Sequence, residues 1–373
     1  MLSGDGHPCR GEGRRSGVAP VSTGDDIDGT TKALNASANR VLIAVRAQWM
    51  RVAPWYVAYG PLVRRVGNVL LFVWFAWQTY ARISFFLRLN FPWGIDATIY
   101  YRGVVAWLHG ADPWAASVSV NGYAYHYAGS PVTTVLMAPA SLLGEQAFTY
   151  GWLGLTLVAA IWTLRRLHFP LWWLLFPPIA EALFSGNPQL VVLALLVANK
   201  DIASALATGL KVYAFIPLFG ETRWRQIGIA VLFNAATILV APGLWLDYLR
   251  ELGSISSRLE RESTQGGSAF YLPMLLAICV VALVLLALRD RRAAGWLTVP
   301  AIWPASQFHY STMALPVMSP LLAVLLAYPY LRLTPVAIVL DVGRRLVTPW
   351  VRRVLVVPGP PDEGTERAPT PSR

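Results

Sequence analysis

The sequence predicts an all-α, polytopic membrane protein, and three observations predict it. Of the 373 residues, 55% are hydrophobic and only 14% charged, where a soluble domain carries nearer a quarter charged. Apolar runs recur along the chain, several close to the roughly 20 helical residues that cross about 30 Å of hydrocarbon. No series of alternating segments of about ten residues, the mark of a transmembrane barrel, is visible.

The elements follow in order. Residues 1–37 are Gly-, Ser- and Arg-rich at their start, have no apolar central run of the signal-peptide kind, and are expected to be a disordered tail. Residues 38–66 mix arginine with Leu, Ile, Val and Trp and predict an amphipathic surface helix. The membrane domain is expected over 67–355, with a first clear span at 67–89. Arg64 and Arg65 precede that span, so the charge bias of membrane proteins assigns the N-terminus to the cytoplasm and residues 90–130 to an external loop at the plasma membrane. Apolar segments then follow from 131 to 347, many broken by Pro or Gly, and predict about 10–11 transmembrane or re-entrant helices around a polar cavity. Counting every segment as a full crossing puts Arg165 and Arg166 outside, against the charge bias, so at least one segment is expected not to cross. Residues 243–267 form a second, interfacial loop, with Trp245, Tyr248, Leu249 and Leu252 at helical spacing. Residues 356–373 are a Pro-rich tail.

The net charge of +11 does not call for a nucleic-acid partner, because the arginines cluster in the tails and between apolar segments, where they face anionic lipid. Cys9 and Cys279 imply neither a disulfide framework nor a metal cluster. Outside the expected N-terminal tail, where Asp26-Ile27-Asp28 stands, a Gly-rich phosphate loop, an Asp-x-Asp pair and a Cys/His cluster are all missing from the sequence, which disfavours a nucleotide-sugar donor. Neither a metal nor another cofactor is expected: near Asp96 the only other acid is Asp112, and a divalent cation wants more oxygen ligands.

Chemistry concentrates in the stretch Trp93–Trp114, WGIDATIYYRGVVAWLHGADPW. A helix beginning at Asp96 places Tyr100 and Gly103 on its face. Asp96 is either a plain helix-starting carboxylate or a base held at the membrane surface, facing a cavity. Arg102 is a candidate phosphate ligand. Lys211 lies in an apolar run and either snorkels to the interface or faces the cavity. His309 is either an interior hydrogen-bonded histidine or a ligand of phosphate or sugar. His126, Tyr127, Glu181, Asn187 and Gln189 are candidates to line the cavity.

The loop resembles the first external loop of the GT-C superfamily of integral-membrane glycosyltransferases, and more narrowly glycosyltransferase family 87, the polyprenyl-phosphate-mannose-dependent α-mannosyltransferases. The matching residues are Asp96, Tyr100, Leu108, Gly110, Pro113 and Trp114, followed in order by an aromatic-rich approach to Pro131, Lys211 before Pro217, and Pro304 with His309. Gly186-Asn187-Pro188-Gln189 carries its amides in the opposite order to the family's Gly-Gln-x-Asn turn. The resemblance covers residues 90–320. It implies a GT-C-type bundle with a catalytic external loop, and Asp96 as the general base. It further implies transfer of a sugar, mannose or a pentose, from a polyprenyl-phosphate donor to a cell-envelope glycolipid or lipoglycan, with inversion. Lys211, His309, Arg102 and Tyr100 are then the candidates for binding the donor's phosphate and sugar. A transporter or flippase of a lipid-linked sugar has broken helices and a polar cavity too, and a non-catalytic scaffold needs neither Asp96 nor Lys211.

Overall fold

The computed structural model describes residues 25–262, 267–304, 306–328 and 333–355. Two units separate: Met1–Gly60 with Arg352–Arg373, and Pro61–Val351. The described residues of the first, 25–60 and 352–355, are helical backbone. A helix thus begins inside the expected N-terminal tail. Residues 1–24 and the expected tail at 356–373 lie outside the described residues.

Helices dominate. In chain order they are α1 (Asp25–Arg88), α2 (Ile95–Leu108), α3 (Pro131–Met137), α4 (Glu145–Arg166), α5 (Pro177–Ser185), α6 (Gln189–Ala198), α7 (Asp201–Leu210), α8 (Phe215–Gly220), α9 (Trp224–Val240), α10 (Pro242–Glu262), α11 (Pro273–Ala287), α12 (Arg291–Ile302), α13 (Pro320–Leu326) and α14 (Leu333–Leu355). Their starts follow local chemistry. Ser130 and Ser319 each accept a hydrogen bond from the backbone N–H three residues on, and each is followed by a proline in the first turn of α3 and α13. Asp290 caps α12 in the same way, through Ala293. Several prolines that read as helix breaks in the sequence therefore open helices, Pro177 and Pro178 of α5 among them.

Two helical stretches, Tyr59–Arg88 and Glu145–Arg166, are long and apolar enough to cross a membrane among the described residues. Two further pairs reach that length only together. α5 and α6 meet at 115°, and α9 meets the Pro242–Arg258 part of α10 at 104°. The expected ten or eleven helices thus resolve into more numerous and shorter ones, with two to four candidate spans. This is a helical fold compatible with a multi-pass membrane protein.

The contacts also fix how the two long stretches run. Phe75 of α1 is fully buried against Trp172, Trp173 and Phe176, with ring centroids 5.0 to 5.7 Å away, just after the end of α4. Further along α1, Phe86 stacks on Phe184 at 5.3 Å, close to Gly186, whose carbonyl accepts from Trp152 Nε1 of α4 at 2.8 Å. α1 and α4 are therefore antiparallel, and Arg64, Arg65, Arg165 and Arg166 share one end. Residues 131–143, a two-turn helix followed by a 3-10 segment, are shorter than a span and deliver the chain to Glu145 beside α2.

Elsewhere α7 packs on α9, α12 on both α11 and α8, and α4 on α6. One element departs from the all-α expectation. Ser117–Val120 (β1) and Tyr123–His126 (β2) pair antiparallel inside the 90–130 segment, joined by Asn121 and Gly122 at φ 51° and 81°. That is the paired left-handed geometry of a tight hairpin.

Candidate functional site

The site begins at the break between α5 and α6. Gly186 ends α5 at φ 69°, and a Cβ there would sit 3.1 Å from Ala97 Cβ and 3.4 Å from Gly94 Cα. A side chain there is thus strained by conformation and crowded by its neighbours. The absence of one lets the start of α2 close onto the break, where Gly94 N–H donates to the Phe184 carbonyl at 2.9 Å. Asn187 then reaches in both directions. Its Oδ1 accepts from Gln189 N–H at 3.0 Å, starting α6, and its Nδ2 donates to Asp96 Oδ2 at 2.8 Å.

Asp96 lies in the first turn of α2, half-buried, where the helix N-terminus favours a carboxylate. Its side chain does not cap the helix; Gly94 occupies that position. Asp96 Oδ1 has no hydrogen-bond partner among the described residues, and the residue lines a cavity of about 760 Å³.

That cavity is walled by the last turns of α1, the β-hairpin, the end of α5, one residue of α10 and the segment 307–309. Its polar interior is an Arg82–Glu181–His309 chain. Arg82 Nε binds Glu181 Oε2 at 2.6 Å, and His309 Nδ1 lies 3.5 Å from Glu181 Oε1. His309 is buried, and neither ring nitrogen has a hydrogen-bond partner. A buried polar atom without a partner is a place for water or a ligand group. Arg82 Cζ stands 4.5 Å from the Phe86 ring centroid. Its two Nη groups make no hydrogen bond among the described residues, so they remain available to an anion.

Lys211 and Tyr100 form a second cluster behind Asp96. The Lys211 ammonium lies 5.5 Å from the Tyr100 ring centroid and 5.9 Å from that of Tyr310, and reaches the Tyr310 hydroxyl at 3.4 Å. Burial of the Tyr100 ring holds its phenol above the usual range, with Lys211 opposing the shift, so the hydroxyl stays protonated. Asp96 interacts electrostatically with both Tyr100 and Lys211.

The sequence candidates therefore divide. Asp96, Glu181, His309 and His126 line the cavity. Asn187 touches it through Asp96, and Lys211 and Tyr100 adjoin Asp96 without lining it. Gln189 is fully buried and accepts from Tyr213 Oη; its own Nε2 has no partner. Tyr127 is a packing residue, edge-on to Tyr100 at 5.3 Å and hydrogen-bonded to Thr134 Oγ1 at 2.8 Å. Arg102 is the clear departure. It forms a forked pair with Glu145 at 3.0 and 3.2 Å, half-exposed and outside the cavity lining, and that partner holds its charge more firmly. The reason is register: Arg102 lies six residues after Asp96, roughly 600° around a helix and so on the far face.

Two cavity arginines were not legible in the sequence as site residues, Arg82 and Arg258. An arginine inside an apolar run is a signal for the first. Arg258 sits in the charged run of α10 and donates to the Trp114 carbonyl at 2.8 Å, a contact between residues 144 positions apart.

No protein-family model matches the chain, and no curated protein or solved structure matches it either.

Proposed function

We propose that the protein is a membrane glycosyltransferase that moves a sugar, mannose by the loop's resemblance, from a polyprenyl-phosphate donor to a hydroxyl of a cell-envelope glycolipid or lipoglycan. The observation that carries this reading is Asp96, a carboxylate oriented through one oxygen by Asn187 and open through the other to a cavity large enough for a sugar.

The chemistry asked of these residues is limited. Asp96 takes the proton from the acceptor hydroxyl as its oxygen bonds to the anomeric carbon. The bond from that carbon to the phosphate oxygen breaks, and the lipid phosphate leaves with the electron pair. One displacement inverts the anomeric centre. Arg82, with its free Nη groups, and His309 are the cavity's groups for the phosphate, in place of Arg102. The apolar wall of Phe85, Phe86, Leu89 and Phe91 suits a polyprenyl chain arriving from lipid. The hairpin tyrosines Tyr123 and Tyr125 suit a sugar face. By the charge bias, Arg64, Arg65, Arg165 and Arg166 lie on the cytoplasmic side, and the cavity opens outward.

The test is transfer of labelled mannose from polyprenyl-phosphate mannose to an envelope lipid extract by purified protein in nanodiscs. Wild type should transfer, and Asp96→Asn should lose a factor of about 10² to 10⁴ while keeping its melting temperature. Undiminished transfer by Asp96→Asn rejects the mechanism. Absence of transfer from mannose and pentose donors alike rejects the reaction and favours transport of the lipid-linked sugar.

A further inference from the structure

A second cavity, of about 710 Å³, lies far from Asp96 and belongs to none of the chemistry above. Trp152 of α4 touches the break beside the first cavity, whereas Arg166, the last residue of α4, lines the second. Fourteen residues of helix separate them, about 21 Å. The second cavity collects four arginines from separate elements: Arg166 at the end of α4, Arg223 between α8 and α9, and Arg291 and Arg292 opening α12.

Among the described residues one carboxylate, Glu221, lines this cavity, and both its oxygens are engaged. Its Oε2 binds Arg223, and its Oε1 accepts from Arg292 Nε at 3.1 Å and Trp296 Nε1 at 2.7 Å. The nearby acids are also engaged. Asp290 caps α12 through Ala293, and Asp201 pairs with Arg225 at 2.7 Å outside the cavity. Arg166 and Arg291 have no ion pair or hydrogen bond among the described residues. Arg291 and Arg292 also stand in the first turn of α12, where the helix dipole disfavours cations. Convergence of guanidinium groups on one surface recess, with Arg166 and Arg291 exposed and unpartnered among the described residues, costs electrostatic energy in the empty protein. An anion removes that cost.

We infer that this cavity binds a phosphate-bearing anion, with Arg166 and Arg291 supplying the direct charge and Glu221 fixing Arg223 and Arg292 in place. Guanidinium groups suit phosphate oxygens through forked hydrogen bonds. Basic pockets between membrane helices take the headgroups of anionic lipids, and a water-soluble polyphosphate offers the same chemistry. The inference does not depend on the transferase reading.

Native mass spectrometry of the purified protein in neutral detergent tests it, with phosphatidylglycerol, phosphatidylcholine or inorganic pyrophosphate added in separate arms. Arg166→Gln/Arg291→Gln removes the two unpartnered charges, and Arg65→Gln/Arg165→Gln removes equal charge outside the cavity lining. Thermal unfolding without additive checks that both variants fold. The expected result is retention of phosphatidylglycerol or pyrophosphate by wild type and by the outer control, and about tenfold weaker retention by the cavity variant. Retention of phosphatidylglycerol alone identifies a lipid headgroup, and of pyrophosphate a soluble anion. Equal retention by the two variants, or no preference of wild type for either anion over phosphatidylcholine, overturns the inference. Should the cavity variant unfold, Arg166→Gln and Arg291→Gln singly must each weaken retention, or the inference fails.

Discussion

Asn187 uses both ends of its amide, and this makes it the most informative residue to change after Asp96. Its Oδ1 starts α6 and its Nδ2 orients Asp96. A hydrogen bond to a charged acceptor contributes about 1.5–3 kcal/mol. Asn187→Ala should therefore lower kcat by about tenfold to a hundredfold, leaving KM for the lipid donor nearly unchanged, because the amide lies outside the phosphate groups. Asn187→Asp separates orientation from helix capping. It keeps an oxygen for the Gln189 N–H but sets a second negative charge against Asp96. The acid limb of its pH–rate profile should move to higher pH, since ionising both carboxylates together is disfavoured. A profile that coincides with wild type in both variants would remove Asn187 from the site.

Among the elements, α14 shows how a polar residue fixes a helix that composition alone leaves ambiguous. The last of the apolar segments read up to residue 347 carries Asp341, which is fully buried. Ser319 donates to its Oδ1 at 2.6 Å, Arg344 Nη2 to the same oxygen at 2.8 Å, and Arg345 Nε to Oδ2 at 2.6 Å. Asp341→Ala strands Arg345 and frees the cap of α13, so it should destabilise the protein by about 3 kcal/mol. A lowered melting temperature with the anion-binding cavity and Asp96 untouched is the expected signature in a thermal scan of the detergent-solubilised protein. The same comparison explains what could and could not be read in advance. Apolar runs announced a helical fold compatible with a multi-pass membrane protein; Asp96 stood out in the loop between two apolar segments, and Lys211 as an ionisable group inside an apolar run. The hairpin was also written in the sequence, as Asn121-Gly122 between Ser-Val-Ser-Val and Tyr-Ala-Tyr-His, but four-residue strands leave little alternation to stand out among long apolar runs. The pairing of Arg102 with Glu145, or of Arg82 with Glu181, joins residues 43 and 99 positions apart. Local spacing carries no information about either, because tertiary packing decides which cation meets which carboxylate.

At the scale of the whole molecule, the antiparallel run of α1 and α4 turns a charge count into a statement about sides. Arg65 lies before the apolar part of α1 and Arg165 at the end of α4, so both stand at one end of the pair, while Ala111 follows α2 at the other. The short 131–143 segment is what makes this arrangement possible, since a full crossing there would put Arg165 on the side of Ala111. Single cysteines at these three positions, in a background where Cys9 is replaced by serine and buried Cys279 is kept, report the arrangement directly. An impermeant maleimide applied to sealed vesicles of one orientation should label Arg65→Cys and Arg165→Cys together, and Ala111→Cys only in vesicles of the opposite orientation. Labelling of position 165 together with 111 would mean that 131–143 crosses after all. The phosphate-binding cavity containing Arg166 would then face the same compartment as Asp96. Labelling of 65 and 165 from the cytoplasmic side assigns the two cavities to opposite surfaces, so that an anion bound at Arg166 and a sugar transferred at Asp96 are drawn from separate pools.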